Sequence, residues 1–169
     1  LNYCCELGFT ETACTGQRGA LGATLAGLTV KPDFAICNCV GACDSNATAF
    51  NYATEYLDIP FYQLNALPDL IDERTAAYHR EDFRGMVAFV EEQTGKKMDL
   101  DVLREVLLET DKQDQMMGEL QELMRLKPSP VPGIFNFLMY AMRFIYAGSP
   151  EGTELLECML RIAKQNLAQ

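Results

Sequence analysis

Residues 34–64 read FAICNCVGACDSNATAFNYATEYLDIPFYQL, and their pattern decides the fold. Phe34-Ala35-Ile36-Cys37 is an apolar run of buried-strand length. Asn38 to Ser45, with Asn38, Gly41 and Asp44 among them, has turn chemistry. Ala49, Phe50, Ala53, Tyr56 and Leu57 then fall at helical spacing, and Asp44 or Ser45 is the expected N-cap. Ile59-Pro60 stops that helix, and Phe61-Tyr62-Gln63-Leu64 reads as a second strand. Parallel strands need a crossover between them, so strand–turn–helix–strand is the grammar of a parallel α/β layer.

Upstream, Gly16, Gly19, Ala20, Gly22, Ala23 and Ala26 predict a tight turn and a short, closely packed helix between Cys14 and Leu28, which Lys31-Pro32-Asp33 ends. Residues 1–13 show no decisive pattern. Downstream, Asn65-Ala66-Leu67-Pro68 leaves the second strand, and near Asp69 the sequence turns helical. Phe83, Met86, Val87 and Val90 mark one helix, ended by Thr94-Gly95. Asp99 caps the next, along which Leu103, Val106, Leu107, Met117, Leu120 and Met124 recur. Lys127 to Gly133, with three prolines, is a breaker. Residues 134–147 are apolar almost all round, which predicts a helix enclosed in a core or docked on a partner. Ser149-Pro150 opens the last helix, with serine as cap and proline in the first turn. The expected architecture is therefore α/β, with a small Rossmann-like parallel-sheet lobe over 1–68 and a helical lobe over 69–169.

The chain has 169 residues, 49% of them hydrophobic, which suffices for a real core and argues against disorder. Its formal charge is −10, from 24 acids and 14 bases. Such a field repels nucleic acid, and an anionic substrate would need positive potential gathered locally. The most apolar run, Ile134 to Ile145, is about 12 residues, against roughly 20 for a bilayer span, so no membrane role is expected. No secretory leader opens the sequence at Leu1, and the lack of an initiator Met suggests a piece of a larger protein. Seven cysteines, an odd number, in a helix-rich chain suit a reducing cytoplasm and thiolate ligands better than a disulfide framework.

Cys43 carries the most chemical information. It lies after a strand and directly before a helix, where ligands collect in open α/β sheets. Unpaired N–H groups and a partial positive charge there favour thiolate. Cys14 precedes the other glycine-rich turn and helix, so it is expected at the same sheet edge. Two thiolates from two turns would form an open, incomplete metal site. Cys37, inside the strand, reads as a small buried hydrophobe. Cys39 stands between ligand and inert thiol, Cys158 reads as helix packing, and adjacent Cys4 and Cys5 receive no role. The triplet Cys37, Cys39, Cys43 is weak evidence for zinc, since a structural site takes four ligands and the one histidine, His79, lies in a polar, solvated helix. No P-loop, G-x-S-x-G or G-x-G-x-x-G is present.

Two cysteine motifs carry a resemblance to the family of 2-hydroxyglutaryl-CoA dehydratase and benzoyl-CoA reductase. The first is Cys14-Thr15-Gly16-Gln17-Arg18 with Gly19 and Gly22. The second runs from Pro32-Asp33-Phe34-Ala35-Ile36-Cys37 through Cys43-Asp44-Ser45-Asn46 and Phe50-Asn51-Tyr52 to Ile59-Pro60-Phe61, with the family's spacing from Cys43 to Pro60. Thr94-Gly95-Lys96-Lys97 and Lys127-Pro128-Ser129-Pro130 extend it over essentially the whole chain. Thr15-Gly16 stands where the family carries an aromatic after the first cysteine.

The resemblance implies a subunit of a larger, multi-lobed protein holding a [4Fe–4S] cluster on three cysteines, with one iron open. Cys14 and Cys43 match the first two ligands, and the third is expected beyond this chain. Arg18 matches the motif arginine, with a role in holding the first turn or an anionic group, or simply a structural one. In the dehydratases an ATP-dependent activator supplies a low-potential electron to an (R)-2-hydroxyacyl-CoA. A ketyl-type radical then loses the hydroxyl and the β-hydrogen to give the enoyl-CoA. The expectations are an oxygen-sensitive, cytoplasmic lyase paired with a homologous dehydratase subunit, inactive as this piece alone. The alternatives are a benzoyl-CoA reductase-type subunit and a non-catalytic interaction module with structural cysteines or zinc.

Overall fold

The computed structural model describes residues 1–40, 43–65 and 72–168, and of residues 39 and 40 the backbone alone. The chain forms two compact units, Leu1–Lys97 and Met98–Gln169. The first holds α1 (Asn2–Glu6), α2 (Thr15–Leu25), β1 (Ala35–Val40), α3 (Asp44–Leu57), β2 (Phe61–Asn65) and α4 (Glu73–Thr94). The second holds α5 (Leu100–Met124), α6 (Ile134–Ile145) and α7 (Pro150–Leu167). The architecture is the expected one, a small α/β lobe with a parallel sheet and a helical lobe.

β1 and β2 pair in parallel, Ala35 opposite Phe61, Ile36 opposite Tyr62 and Cys37 opposite Gln63, with α3 as the crossover. The strand runs on to Val40, where the register shifts before Val40 meets Asn65. Asn38 and Cys39, expected in the turn, therefore belong to β1. Pairing with β2 overrides their turn propensity. Gly41 and Ala42 lie outside the described residues, as do residues 66–71, where the loop after Asn65 and the change of character near Asp69 fall.

α2 packs against α3, and α1 against α2. Cys4, Phe9, Leu21, Leu25 and Ala49 form the core between these helices. The small residues of α2 serve this packing: Gly22 lies against the backbone of Leu1 and Cys4. Phe9 meets Tyr52 edge-on at 5.5 Å, and the Tyr52 hydroxyl donates to the Leu7 carbonyl, tying the first residues to α3. α1 has five residues, too few for a periodic signal.

α4 packs on β2. It starts well before Phe83, in a capping box: the Thr75 amide donates to Asp72, and the Thr75 hydroxyl accepts from the Asp72 amide. Asp72 is thus the N-cap of α4. The Tyr62 hydroxyl lies 2.8 Å from the Asp82 carbonyl and 2.9 Å from its carboxylate, which also accepts the Asn65 amide at 2.8 Å. These bonds, the Asn65 amide foremost, hold the Asp82 carboxyl below its ordinary pKa of 3.8. α4 can lie this close because residue 85 is glycine: a Cβ there would collide with the Tyr62 hydroxyl. Gly95 then ends α4 at φ 67°, a left-handed turn that suits glycine.

In the second unit, Leu120 of α5, Phe135, Met139 and Met142 of α6, and Leu156, Met159, Leu160 and Ala163 of α7 form one core. Gln113 is completely buried there. Its amide nitrogen donates to Ser149 O at 2.8 Å, with Tyr146 O and Thr153 Oγ1 within reach, while its oxygen accepts the Gly148 amide at 2.9 Å. The expected caps hold: Asp99 accepts from Asp101 and Val102, and Ser149 from Gly152 ahead of α7, which Pro150 opens. α6 buries one face, while Ile134, Phe137, Tyr140, Phe144 and Ile145 of the other are at least 60% exposed. Among the described residues of its own unit, nothing covers that face. Among the described residues, no helix is long and apolar enough to cross a membrane.

Candidate functional site

The two cysteines singled out from the sequence occupy equivalent places. Cys14 is the N-cap of α2 and Cys43 the N-cap of α3. Each carbonyl starts its helix: Cys14 O accepts the Arg18 amide at 2.9 Å, and Cys43 O the Ala47 amide at 3.0 Å. Cys43, not Asp44 or Ser45, is therefore the cap. Neither thiol makes a side-chain cap hydrogen bond, and both residues are exposed. At α2 the Gln17 and Gly16 amides act on the Cys14 sulfur, at the positive end of the helix dipole.

The Cys14 sulfur responds to this setting. The amides of Gln17 and then Gly16 favour its thiolate and hold its pKa below the ordinary 9.0, against a smaller opposing effect of burial. A methyl at residue 16 would stand 3.7 Å from this sulfur, an ordinary van der Waals contact.

A direct bond links the two turns. The Cys14 amide donates to Ser45 Oγ at 3.2 Å, across 31 residues of sequence. Ser45 lies in the first turn of α3, two residues after Cys43, so this bond and the α2–α3 packing hold the two helix starts side by side. Arg18 steadies the approach to Cys14: its Nη1 donates to the Glu11 carbonyl at 2.6 Å.

The remaining candidates separate from this pair. Cys37 is buried in β1 and Cys4 is fully buried in the core. Cys5 has its pKa raised, chiefly by burial and then by Cys4. Cys158 lies half-buried on α7, its sulfur accepting from Arg161 at 3.2 Å. The Cys39 side chain lies outside the described residues. His79, expected in solvent, is half-buried on α4 with its ring 4.7 Å from that of Phe83. A cavity of about 260 Å³ between α2 and α3, bordered by Gln17, Leu21, Thr24, Phe50, Thr54 and Leu57, contains no ionisable side chain.

The donor set suits a thiophilic cationic guest. Two exposed sulfurs at adjacent helix starts, one with depressed pKa, match what a thiolate-ligated metal or cluster requires. Among the described residues no group of three or more His, Cys, Asp or Glu could hold a metal ion. The sequence pattern pointed to both cysteines but missed Ser45 as their link, because a side chain's reach across 31 residues leaves no local signal.

Comparison with curated proteins returns no match. The sequence model of the family described as 2-hydroxyglutaryl-CoA dehydratase, D-component, matches residues 5–169, a span that contains both thiol-bearing turns and most of both units, and the chain belongs to that family.

Proposed function

We propose that this chain is a cluster-bearing subunit of a 2-hydroxyacyl-CoA dehydratase, with Cys14 and Cys43 as two of the three thiolate ligands of a [4Fe–4S] cluster and the third ligand supplied from outside residues 1–169. Membership of the dehydratase family gives the reaction class. The observation that carries the site is the placement of two exposed cysteines as N-caps of adjacent helices, bridged by the Cys14–Ser45 hydrogen bond.

Cys14 and Cys43 hold the cluster from one side. The Gly16 and Gln17 amides offset the negative charge of the Cys14 sulfur, and hydrogen bonds to ligating sulfur tune cluster potential. Arg18 fixes the loop ahead of Cys14 through the Glu11 carbonyl. When bound, the cluster supplies one-electron and Lewis-acid chemistry for the radical elimination of water from an (R)-2-hydroxyacyl-CoA. The wider reading includes a homologous partner subunit, an ATP-dependent activator and a cytoplasmic setting. The protein's net charge of −10 means that the polyanionic CoA moiety is received where positive charge is gathered locally.

The test is anaerobic iron–sulfur reconstitution of the chain with its partner subunit, read by iron and sulfide content and by electron paramagnetic resonance after reduction. The signal is expected to vanish in Cys14→Ala and in Cys43→Ala and to survive in Cys158→Ala. Uptake of zinc alone, or a cluster signal indifferent to Cys43, would overturn the assignment.

A further inference from the structure

We propose that Ser45 is a positioning residue of this site, setting the separation of the two ligand-bearing turns by accepting the Cys14 amide. The inference deepens the assignment above and rests on Cys14 and Cys43 acting as a pair.

The hydroxyls of Thr24, Thr48, Thr54, Thr94 and Thr110 each bond to the carbonyl four residues earlier in their own helix. This local back-bonding is the ordinary habit of a helical hydroxyl. Ser45 stands in the first turn, where no helical carbonyl lies four residues behind it. Its oxygen instead accepts an amide from a different helix start, 31 residues away. The donor is the N–H of Cys14, the residue whose carbonyl begins α2. As an N-cap amide, that N–H has no partner within its own helix. Ser45 therefore satisfies a group that α2 leaves open, and it does so at the backbone of the ligand residue.

Geometry gives this bond its leverage. Ser45 is two residues from Cys43 in the same helical turn, so a bond from Ser45 to the Cys14 backbone fixes one thiol-bearing turn against the other. The packing of α2 on α3 holds the bodies of the helices together. The hydrogen bond between the two first turns adds a constraint at the end where the thiols stand. Two sulfurs grip one cation together only while their spacing is held. The role of Ser45 differs from that of Gly16 and Gln17, whose amides act on the Cys14 sulfur itself.

The experiment is a titration of the reduced, metal-free full chain with Cd²⁺ alone, followed by sulfur-to-metal charge-transfer absorption. The pH profile of Cys14 alkylation and circular dichroism are recorded on the same samples. Cys14→Ala and Cys43→Ala are each expected to abolish the tightest Cd²⁺ phase. Ser45→Ala is expected to weaken that phase about tenfold, the usual scale for losing a group that orients a metal ligand. It should leave the Cys14 alkylation midpoint in place. Ser45→Thr, which keeps the hydroxyl oxygen, is expected to restore wild-type affinity. If both cysteine variants lose the phase while Ser45→Ala binds as wild type, Ser45 has no positioning role and the pair stands. If Ser45→Ala and Ser45→Thr weaken the phase equally in folded protein, the bond is likewise not what matters. If neither cysteine variant changes binding, the paired site itself falls, and this inference with it.

Discussion

α4, α5 and α7 begin on Asp72, Asp99 and Ser149, whose side-chain oxygens accept first-turn amides, whereas α2 and α3 begin on Cys14 and Cys43, whose thiols close no such bond. An oxygen N-cap contributes about 0.5–2 kcal/mol relative to alanine. At α2 and α3 no side-chain oxygen supplies that stabilisation, and at α2 the Gln17 and Gly16 amides act on the Cys14 sulfur. All three oxygen-capped helices lie outside the pair that presents the thiols. α1 and α6, on Leu1 and Gly133, also lack a side-chain cap bond, so what sets α2 and α3 apart is the thiol at the start.

The comparison breaks if the two kinds of start respond alike to substitution. The largest effect is expected where a start is supported from within the core. Gln113→Ala removes the partner of Gly148 and Ser149 just ahead of α7 and leaves their buried polar groups unsatisfied, for a loss of about 2–3 kcal/mol in chemical denaturation. Asp72→Ala opens the capping box of α4 and is expected to cost about 1 kcal/mol by the same measurement. Cys43→Asp converts a binding start into a stabilising one. The metal-free protein is expected to gain about 0.5–1 kcal/mol while losing metal uptake. A loss of stability in that variant would show that the cap geometry at α3 rejects an oxygen acceptor.

The smallest effect is a titration. Because Gln17 and Gly16 favour the charged form, Cys14 should lose its proton below pH 9.0, and Cys5, whose thiolate is disfavoured by burial and by Cys4, above it. The sign for stability follows from the depressed folded-state pKa. The contribution of the Cys14 thiolate is fully present above the unfolded-state pKa and is lost as pH falls through the folded one. Alkylation by iodoacetamide across pH, with each site resolved by peptide mass, checks this. Cys5 reacting at lower pH than Cys14 would remove the electrostatic half of the contrast.

What could be read from sequence was what is local. The β1–α3–β2 unit follows from an apolar run, a turn and a helical period within about thirty residues, and the caps Asp99 and Ser149 from residue type beside a periodic segment. The pairing that carries β1 on to Val40 depends on Asn65, more than twenty residues away, and no turn propensity reports it. The polar first turns of α4 gave no apolar period until Phe83, which hid its start at Glu73. The apolar composition of α6 signalled burial but not which side would lack a neighbour. At the site, both thiols were legible from motif and context. The Ser45 bridge was not, because it is a property of two helix starts brought together by packing.

The span of 31 residues between Cys14 and Ser45 also has a meaning in time. A ribosome adding roughly 5–20 residues per second delivers the first cysteine a few seconds before the serine that receives its amide. During that interval the leading thiol has neither bridge nor companion, and it is open to oxidants and stray cations. On the proposed reading, the paired site exists only once synthesis has passed the start of α3.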